Sequence, residues 1–448
     1  MARTDQPPLK PTTDFMRLAV VCLRGMVVVS VFILLVQTFL AEGLLTKFVI
    51  SGASMSPTLH GTHFLLYCPE CATGFCVETD TEAMTSPNAQ LLRLAICPAC
   101  SFARVPVPTD AQCQGNRIVI NREVLSLRSI RRWDVVLFYS PDDGKLTVKR
   151  VVGLPGETLE IRNGDIVING QIAVKPLAVQ RDMRIPVLYG RWETQLGKSP
   201  DTCEFAWLPT RNTPHSGKRV MGEKNFPQYS LLATRYSQIN GVTNQLCENQ
   251  WRIEPPGGIF PVHDLMLEFD WQPEDSLPLC VRTCTDNVML NQTLATRNSQ
   301  LATQHNGTYK VTVSLFDRQL LVAIDGVVIV DSPLDDAIQS LTDASPFALN
   351  LSENTGLSLS EQEAAVKRQV ANLRVYRDVY YISDFRLQAS GKHHEPPTPK
   401  PEARSPKPVT IPAGCYYVLG DNSGFSSDSR HWKEPFVTHR YLVGIVAP

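Results

Sequence analysis

The chain has 448 residues, with 43 Lys and Arg against 44 Asp and Glu, and 43% of it is apolar; 33 residues are Pro and 12 are Cys. That length predicts two or three domains with substantial cores, and the near-neutral charge excludes the basic face that a nucleic-acid partner requires. The apolar fraction is too high for a disordered chain and too evenly spread for a polytopic membrane protein, and the Pro content excludes a coiled coil.

Residues 1–17 form a short N-terminus with Arg3, Lys10 and Arg17 against Asp5 and Asp14, a modest positive bias expected to keep it in the cytoplasm. Residues 18–40 (LAVVCLRGMVVVSVFILLVQTFL) are the one membrane-length apolar run. As a helix these 23 residues rise about 35 Å, enough to span a hydrocarbon core of about 30 Å. Arg24 sits near the start of the run, where its side chain can snorkel. A cleavable leader would have a shorter apolar core and a small-x-small site, and Ala41-Glu42-Gly43 matches that poorly. The expectation is a single-pass anchor in the cytoplasmic (inner) membrane, with everything after it on the outer, periplasmic face.

Residues 41–64 lead from the anchor into a polar turn, Ser51-Gly52-Ala53-Ser54. Residues 65–115 are a separate block holding six of the twelve cysteines. Over 116–175 the pattern turns β, with Val135-Val136-Leu137-Phe138, 146–152, Leu159-Glu160-Ile161 and Ile166-Val167-Ile168 as strands punctuated by Asn163-Gly164 and Asn169-Gly170. A third region, 176–390, alternates at period two over Leu265, Leu267, Phe269, Trp271 and over Tyr309, Val311, Val313, Leu315. Residues 320–330 (LLVAIDGVVIV) predict a hairpin with a type I′ turn at Asp325-Gly326. This spacing indicates an antiparallel sandwich. Residues 391–412 form an extended Pro-rich linker, and 413–448 return to β pattern, so the sandwich region reads as an insertion into another domain.

Three segments carry chemistry: 51–59 (SGASMSPTL), 148–157 (VKRVVGLPGE) and 419–430 (LGDNSGFSSDSR). A Ser in a Gly/Ala turn has an exposed hydroxyl beside backbone N–H groups, and it needs a base. There is no G-x-S-x-G elbow, so Lys149, between valines on a strand, is the base candidate. Alternation puts Lys149 and Arg150 on opposite faces, and one of the two is expected to point inward. A buried lysine loses its preference for the charged form, and a fall of two to three pKa units corresponds to about 3–4 kcal/mol. Two C-P-x-C units, Cys68-Pro69-Glu70-Cys71 and Cys97-Pro98-Ala99-Cys100, lie 25 residues apart and read as a zinc ribbon, Cys68, Cys71, Cys97 and Cys100 holding one structural Zn. Disulfides are the alternative in an exported domain.

In their combination and order the three segments resemble the conserved boxes of type I signal peptidases, membrane-bound Ser/Lys enzymes that remove leader peptides from exported proteins. Ser54-Met55-Ser56-Pro57-Thr58 matches the S-M-x-P-T motif, Lys149 to Glu157 the K-R-x-x-G-x-P-G-(D/E) box, and Gly420 to Arg430 the G-D-N-x-x-x-S-x-D-S-R box. The resemblance covers the anchor and residues 46–64, 116–175 and 408–448. It implies that Ser54 is the nucleophile, Lys149 the general base and Ser426 the hydroxyl that hydrogen-bonds the Lys149 amine. It further implies an Asp428–Arg430 ion pair, a turn shaped by Gly420, Asp421 and Asn422, and an oxyanion donor in the Ser54 N–H. Some members carry a second Ser where this chain has Gly52; either backbone groups suffice or Ser51 substitutes.

The implied fold is mainly β: a signal-peptidase-type antiparallel core behind a transmembrane helix, with a zinc-ribbon-like insert and a β-sandwich insert. The sandwich resembles, more loosely, concanavalin- and laminin-G-type modules. The implied function is a membrane-anchored serine endopeptidase that removes signal peptides at Ala-x-Ala-type sites. Its partners are the signal peptides of exported preproteins, the lipid bilayer and the secretion translocon, with a glycan or protein as ligand of the sandwich and no cofactor for catalysis. The rival is a catalytically inactive, membrane-anchored binding module built on the sandwich, which intact Ser54, Lys149 and Ser426 oppose.

Overall fold

The computed structural model describes residues 12–41, 45–79, 94–99, 105–108, 111–121, 129–188, 191–196, 203–208, 242–244, 260–274, 276–283, 286–291, 307–334, 346–351, 355–383 and 408–446. The fold is mainly β, with one apolar helix at the N-terminus. That helix, Thr12–Ala41, carries the stretch Leu18–Gln37, 20 residues of which none is buried among the described residues. Val28 and Phe32 are 67% and 65% exposed. The stretch is long and apolar enough to cross a membrane.

Among the described residues the chemistry-bearing segments converge on a seven-stranded antiparallel sheet. Its order is Leu45–Val49, Arg117–Asn121, Leu442–Val446, Val135–Tyr139, Leu146–Gly153, Cys415–Leu419 and Val437–Thr438. Leu45–Val49 pairs with Arg117–Asn121 across the whole Cys-rich block, and Cys415–Leu419 pairs with Leu146–Gly153 across residues 176–390. Both faces of this sheet are packed: Val136, Phe138, Val151, Val418 and Trp432 form one cluster, and Ile50, Ile118, Ile120 and Leu137 another. The strand Leu146–Gly153 therefore buries Lys149 and Arg150 alike, at 2% and 3% exposure. This corrects the expectation that one of the two faces inward. Alternation is kept, but neither face is open to water.

A smaller antiparallel sheet, Gln171–Ile172, Asp165–Ile168, Thr158–Arg162 and Val409–Thr410, continues the core. Its tight turns follow from their residues: Asn163 and Gly164 take φ of 52° and 95°, Asn169 and Gly170 50° and 86°, the left-handed pair that a two-residue hairpin turn demands. Asp325-Gly326 does the same, at 48° and 81°.

Between residues 185 and 377 two antiparallel sheets face one another. One runs Ile185–Pro186, Val370–Arg377, Leu265–Trp271, Tyr309–Ser314, Gln319–Ile324, Val327–Pro333; the other runs Arg191–Leu196, Cys203–Leu208, Phe347–Leu351, Leu279–Thr283, Asn287–Met289. Phe269, Trp271, Val313 and Val322 from the first meet Leu279, Val281, Phe347 and Leu349 from the second in one buried cluster. The helix Leu359–Gln369 is started by a capping box between Ser358 and Glu361, and it lays Ala365 and Val366 into the same cluster. The ends of this region rejoin the first: Met183, Ile185, Val379 and Tyr381 pack with Leu159, Ile166 and Tyr417. The Cys-rich block has its own sheet, Gly74–Glu78, His63–Tyr67 and Gln112–Cys113, beside the pair Leu94–Ala95 and Val105–Pro106. Its first strand begins at His63, two residues ahead of the boundary read from composition.

Candidate active site

Ser54 sits at the centre of a single 3-10 turn, Ala53–Met55, entered from an extended Gly52 (φ −105°, ψ 158°). Met55, 1% exposed, pins the turn into the core, while Ser54 stays half-buried. Lys149 comes from the neighbouring strand, and its Nζ lies 2.5 Å from Ser54 Oγ. Burial pushes the Lys149 ammonium down from the ordinary 10.5 to about 8; the Asp428 carboxylate opposes that fall and the Arg430 guanidinium adds to it. The Lys149 amine and the Ser54 hydroxyl are thus in direct contact, and the amine gives up its proton far more readily than an ordinary lysine.

The loop after Cys415–Leu419 closes over the pair. Asn422 N donates to the Ser54 carbonyl at 3.1 Å and Asn422 Nδ2 to the Ala53 carbonyl at 3.0 Å, so this residue grips the Ser54 turn by its backbone. Gly420 allows the approach: a Cβ there would collide with Ser426 Oγ and with the Ser54 carbonyl oxygen, and would stand 2.6 Å from Ser426 Cβ. Asp428 and Arg430 form a two-pronged ion pair, Nε to Oδ1 at 2.8 Å and Nη2 to Oδ2 at 2.7 Å, and the Gly420 N–H donates to Asp428 Oδ2 at 3.0 Å. Burial raises the Asp428 carboxyl and Arg430 more than offsets it, leaving it below the ordinary range. Asp421 does more than shape a turn. It receives Arg150 Nε at 2.9 Å and Nη2 at 2.6 Å, while Arg150 Nη1 caps the Trp133 carbonyl at 2.8 Å.

Ser426 departs from expectation. Its hydroxyl is buried, and it makes no hydrogen bond to Lys149 or to any other described group. The reason is steric placement: it leaves the short turn Ser423–Phe425 facing Gly420, where it and the Ser54 carbonyl crowd the same point.

A family model described as signal peptidase, peptidase S26, matches residues 99–225 and 358–447. Those spans hold Lys149 and Gly420–Arg430, and Ser54 lies ahead of them. A probable signal peptidase I-1 from Synechocystis sp. is 30% identical over 156 residues, 31% of this chain and 75% of that protein. The signal peptidase I of Bacillus caldolyticus is 32% identical over 137 residues, 31% of this chain and 70% of that one. The chain belongs to the signal peptidase I family. A shorter match, to signal peptidase I V of Bacillus subtilis, is 38% identical over 63 residues; it spans 14% of this chain and 37% of that relative, so about a third of that relative's length is covered.

Within the family site, several residues escaped the reading of the boxes. Arg150 was legible only as a neighbour of Lys149. Tyr381 donates to Asp421 Oδ1 at 3.3 Å, and Ser423 Oγ accepts from the Ile382 N–H at 2.8 Å and from Arg430 Nη1 at 2.7 Å. Arg430 Nη1 also reaches the Ile382 carbonyl at 2.8 Å. The returning end of the long insert is therefore part of the wall around Asp421 and Arg430. In the Cys-rich block, Cys68, Cys71 and Cys97 bring their sulfurs within 4.8 Å of one another; Cys100 lies outside the described residues, and a Cβ at Gly52 would meet no described atom within 4 Å.

Proposed function

We propose that this chain is a membrane-anchored serine endopeptidase that removes signal peptides from exported preproteins, with Ser54 as nucleophile and Lys149 as general base. The observation that carries this reading is the 2.5 Å contact between Lys149 Nζ and Ser54 Oγ in a site where burial lowers the lysine to about 8. With the amine neutral, the hydroxyl donates to it. Attack of Oγ on the scissile carbonyl transfers the proton to Nζ. The ammonium then returns that proton to the departing amine, leaving an acyl-Ser54 ester. The neutral amine next takes a proton from water, which attacks the ester, and Nζ gives the proton back to Oγ as the acid is released.

The Ser54 N–H is the donor for the oxyanion, and a substrate main chain beside Gly52 completes the site. Ser426, buried with no hydrogen-bond partner among the described residues, carries a cost of about 1–3 kcal/mol for its unsatisfied hydroxyl. The exposed apolar helix 18–37 makes sense in lipid. It would hold the site near the outer leaflet, where a membrane-inserted leader emerges, and tethering enzyme and substrate to one surface raises their effective concentration. Small side chains at the residue before the scissile bond and two further back are the expected preference.

The test is cleavage of a preprotein in detergent micelles or proteoliposomes. Ser54→Ala and Lys149→Ala should each lower the rate by more than about a thousandfold while the circular dichroism stays that of the parent. Retained cleavage in either variant rejects the assignment.

A further inference from the structure

The Cys-rich block carries chemistry that Ser54 and Lys149 do not use. Cys68 and Cys71 flank a tight turn at the end of the strand His63–Tyr67: Ala72 N donates to the Cys68 carbonyl at 2.9 Å, Cys68 N donates to the Thr73 carbonyl at 3.0 Å, and Ala72 takes φ of 58°. Cys97 follows the strand Leu94–Ala95. Cys68 and Cys97 are buried with Phe64, Leu66, Phe75 and Val77, whereas Cys71 is exposed at the rim.

The three sulfurs lie within 4.8 Å of one another, with Cys71 and Cys97 at 3.6 Å. Thiolates bound to one tetrahedral zinc at about 2.3 Å stand about 3.8 Å apart. Three converging thiols on two tight turns are the donor set of a soft divalent ion.

The same small sheet runs to the nucleophile turn. Its strand Gly74–Glu78 starts three residues after Cys71 and ends on Glu78, a carboxylate 5% exposed. Glu78 accepts a hydrogen bond from Ser56 Oγ, receives the Gly61 N–H at 3.3 Å, and stands 3.5 Å from His60 Nδ1. Ser56 is fully buried, two residues beyond Ser54. The next residue, Thr79, donates through both its N–H and its hydroxyl to the Thr62 carbonyl, each at 2.9 Å.

We infer that Cys68, Cys71 and Cys97 hold one zinc-class divalent ion, and that the sheet it fixes positions the nucleophile turn through Glu78. The ion is structural and takes no part in the cleavage. Glu78 acts through Ser56 and the Gly61 backbone, and so is a positioning residue.

The test uses the full-length protein purified in detergent without added reductant or chelator, with metal content, thiol and disulfide state, cobalt(II) substitution and preprotein cleavage as readouts. The expected result is about one zinc per chain and, after exchange, thiolate-to-cobalt charge-transfer absorbance. Cys71→Ser, which removes only the rim sulfur and leaves the apolar cluster whole, should weaken that absorbance and loosen the ion. Glu78→Ala should keep the metal and lower kcat about tenfold or more with little change in KM, and Glu78→Gln, which retains an acceptor for Ser56, should recover most of the loss. Absence of bound metal and of cobalt absorbance, or a Cys71–Cys97 disulfide in the protein as isolated, overturns the metal site. An unchanged kcat in Glu78→Ala overturns the positioning role. The metal readouts need no substrate, so they decide the site whether or not the chain cleaves preproteins.

Discussion

At the scale of the residue, Lys149 is held in a state that the fold disfavours. Lowering its pKa from 10.5 to about 8 makes the protonated amine about 3 kcal/mol less favourable inside the protein than in the unfolded chain. At pH 7 roughly one molecule in ten then carries the neutral base. The linkage has a definite sign. Between about 8 and 10.5 the unfolded chain binds the proton and the folded one has released it, so stability rises with pH across that window, and below about 8 the full penalty applies. Lys149→Met, which fills similar space without a charge, should therefore stabilise the protein at pH 7 by up to about 3 kcal/mol, and the gain should vanish by pH 10.5. Denaturant titrations at the two pH values check this, and a variant less stable at both contradicts it. The burial of Lys149 was legible because the strand around it is rich in valine. Arg150 was not, since its partner Asp421 is 271 residues away in sequence and only the pairing of Leu146–Gly153 with Cys415–Leu419 brings them together.

At the scale of the element, the loop 420–430 works by backbone contact with the turn that carries Ser54. Asn422 fastens that turn, and Gly420 makes room for the Ser54 carbonyl. Gly420→Ala should push the Ser54 backbone and Ser426 apart, with a packing penalty of about 1–3 kcal/mol. Because the displaced atoms belong to the nucleophile turn, kcat should fall by at least tenfold while the chain still folds; unimpaired kcat contradicts the close approach. The motif spacing made Gly420, Asp428 and Arg430 legible, and the two-pronged ion pair is where the sequence pattern puts it. It misled for Ser426, because a motif gives a residue's position along the chain and not the direction its hydroxyl takes from a 3-10 turn. The alternating patterns over 265–271 and 309–315 gave strands at nearly the observed bounds, Leu265–Trp271 and Tyr309–Ser314, since side-chain periodicity is a local property.

At the scale of the whole molecule, the two β regions are joined by buried charge that no local pattern announces. Lys175, from the first region, pairs with Asp317 and lies 2.8 Å from Asp378, and the carboxylates of Asp165, Asp264 and Asp317 converge within 4.8 Å. Burial, with Asp165 and Asp317 beside it, raises the Asp264 carboxyl well above its ordinary value; burial likewise raises Asp165 to about 6. Carboxyls raised in the folded state favour it at low pH and stop doing so as pH climbs through their folded values. Asp264→Asn should accordingly raise Tm at pH 8 and leave it nearly unchanged at pH 4. A fall in Tm at pH 8 would contradict that account of the junction. Asp165, Asp264 and Asp317 are far apart in the chain and unremarkable singly, so their meeting depends on how the insert docks through Met183, Ile185, Val379 and Tyr381.

The pH dependence of kcat/KM for preprotein cleavage reports the free enzyme's base directly. Measured from pH 6 to 10 in one detergent at constant ionic strength, it should rise tenfold per pH unit, bend near 8 and then level off. A profile that is flat across that range, or that keeps rising to pH 10 as an unburied lysine would dictate, contradicts a neutral Lys149 amine taking the proton of Ser54.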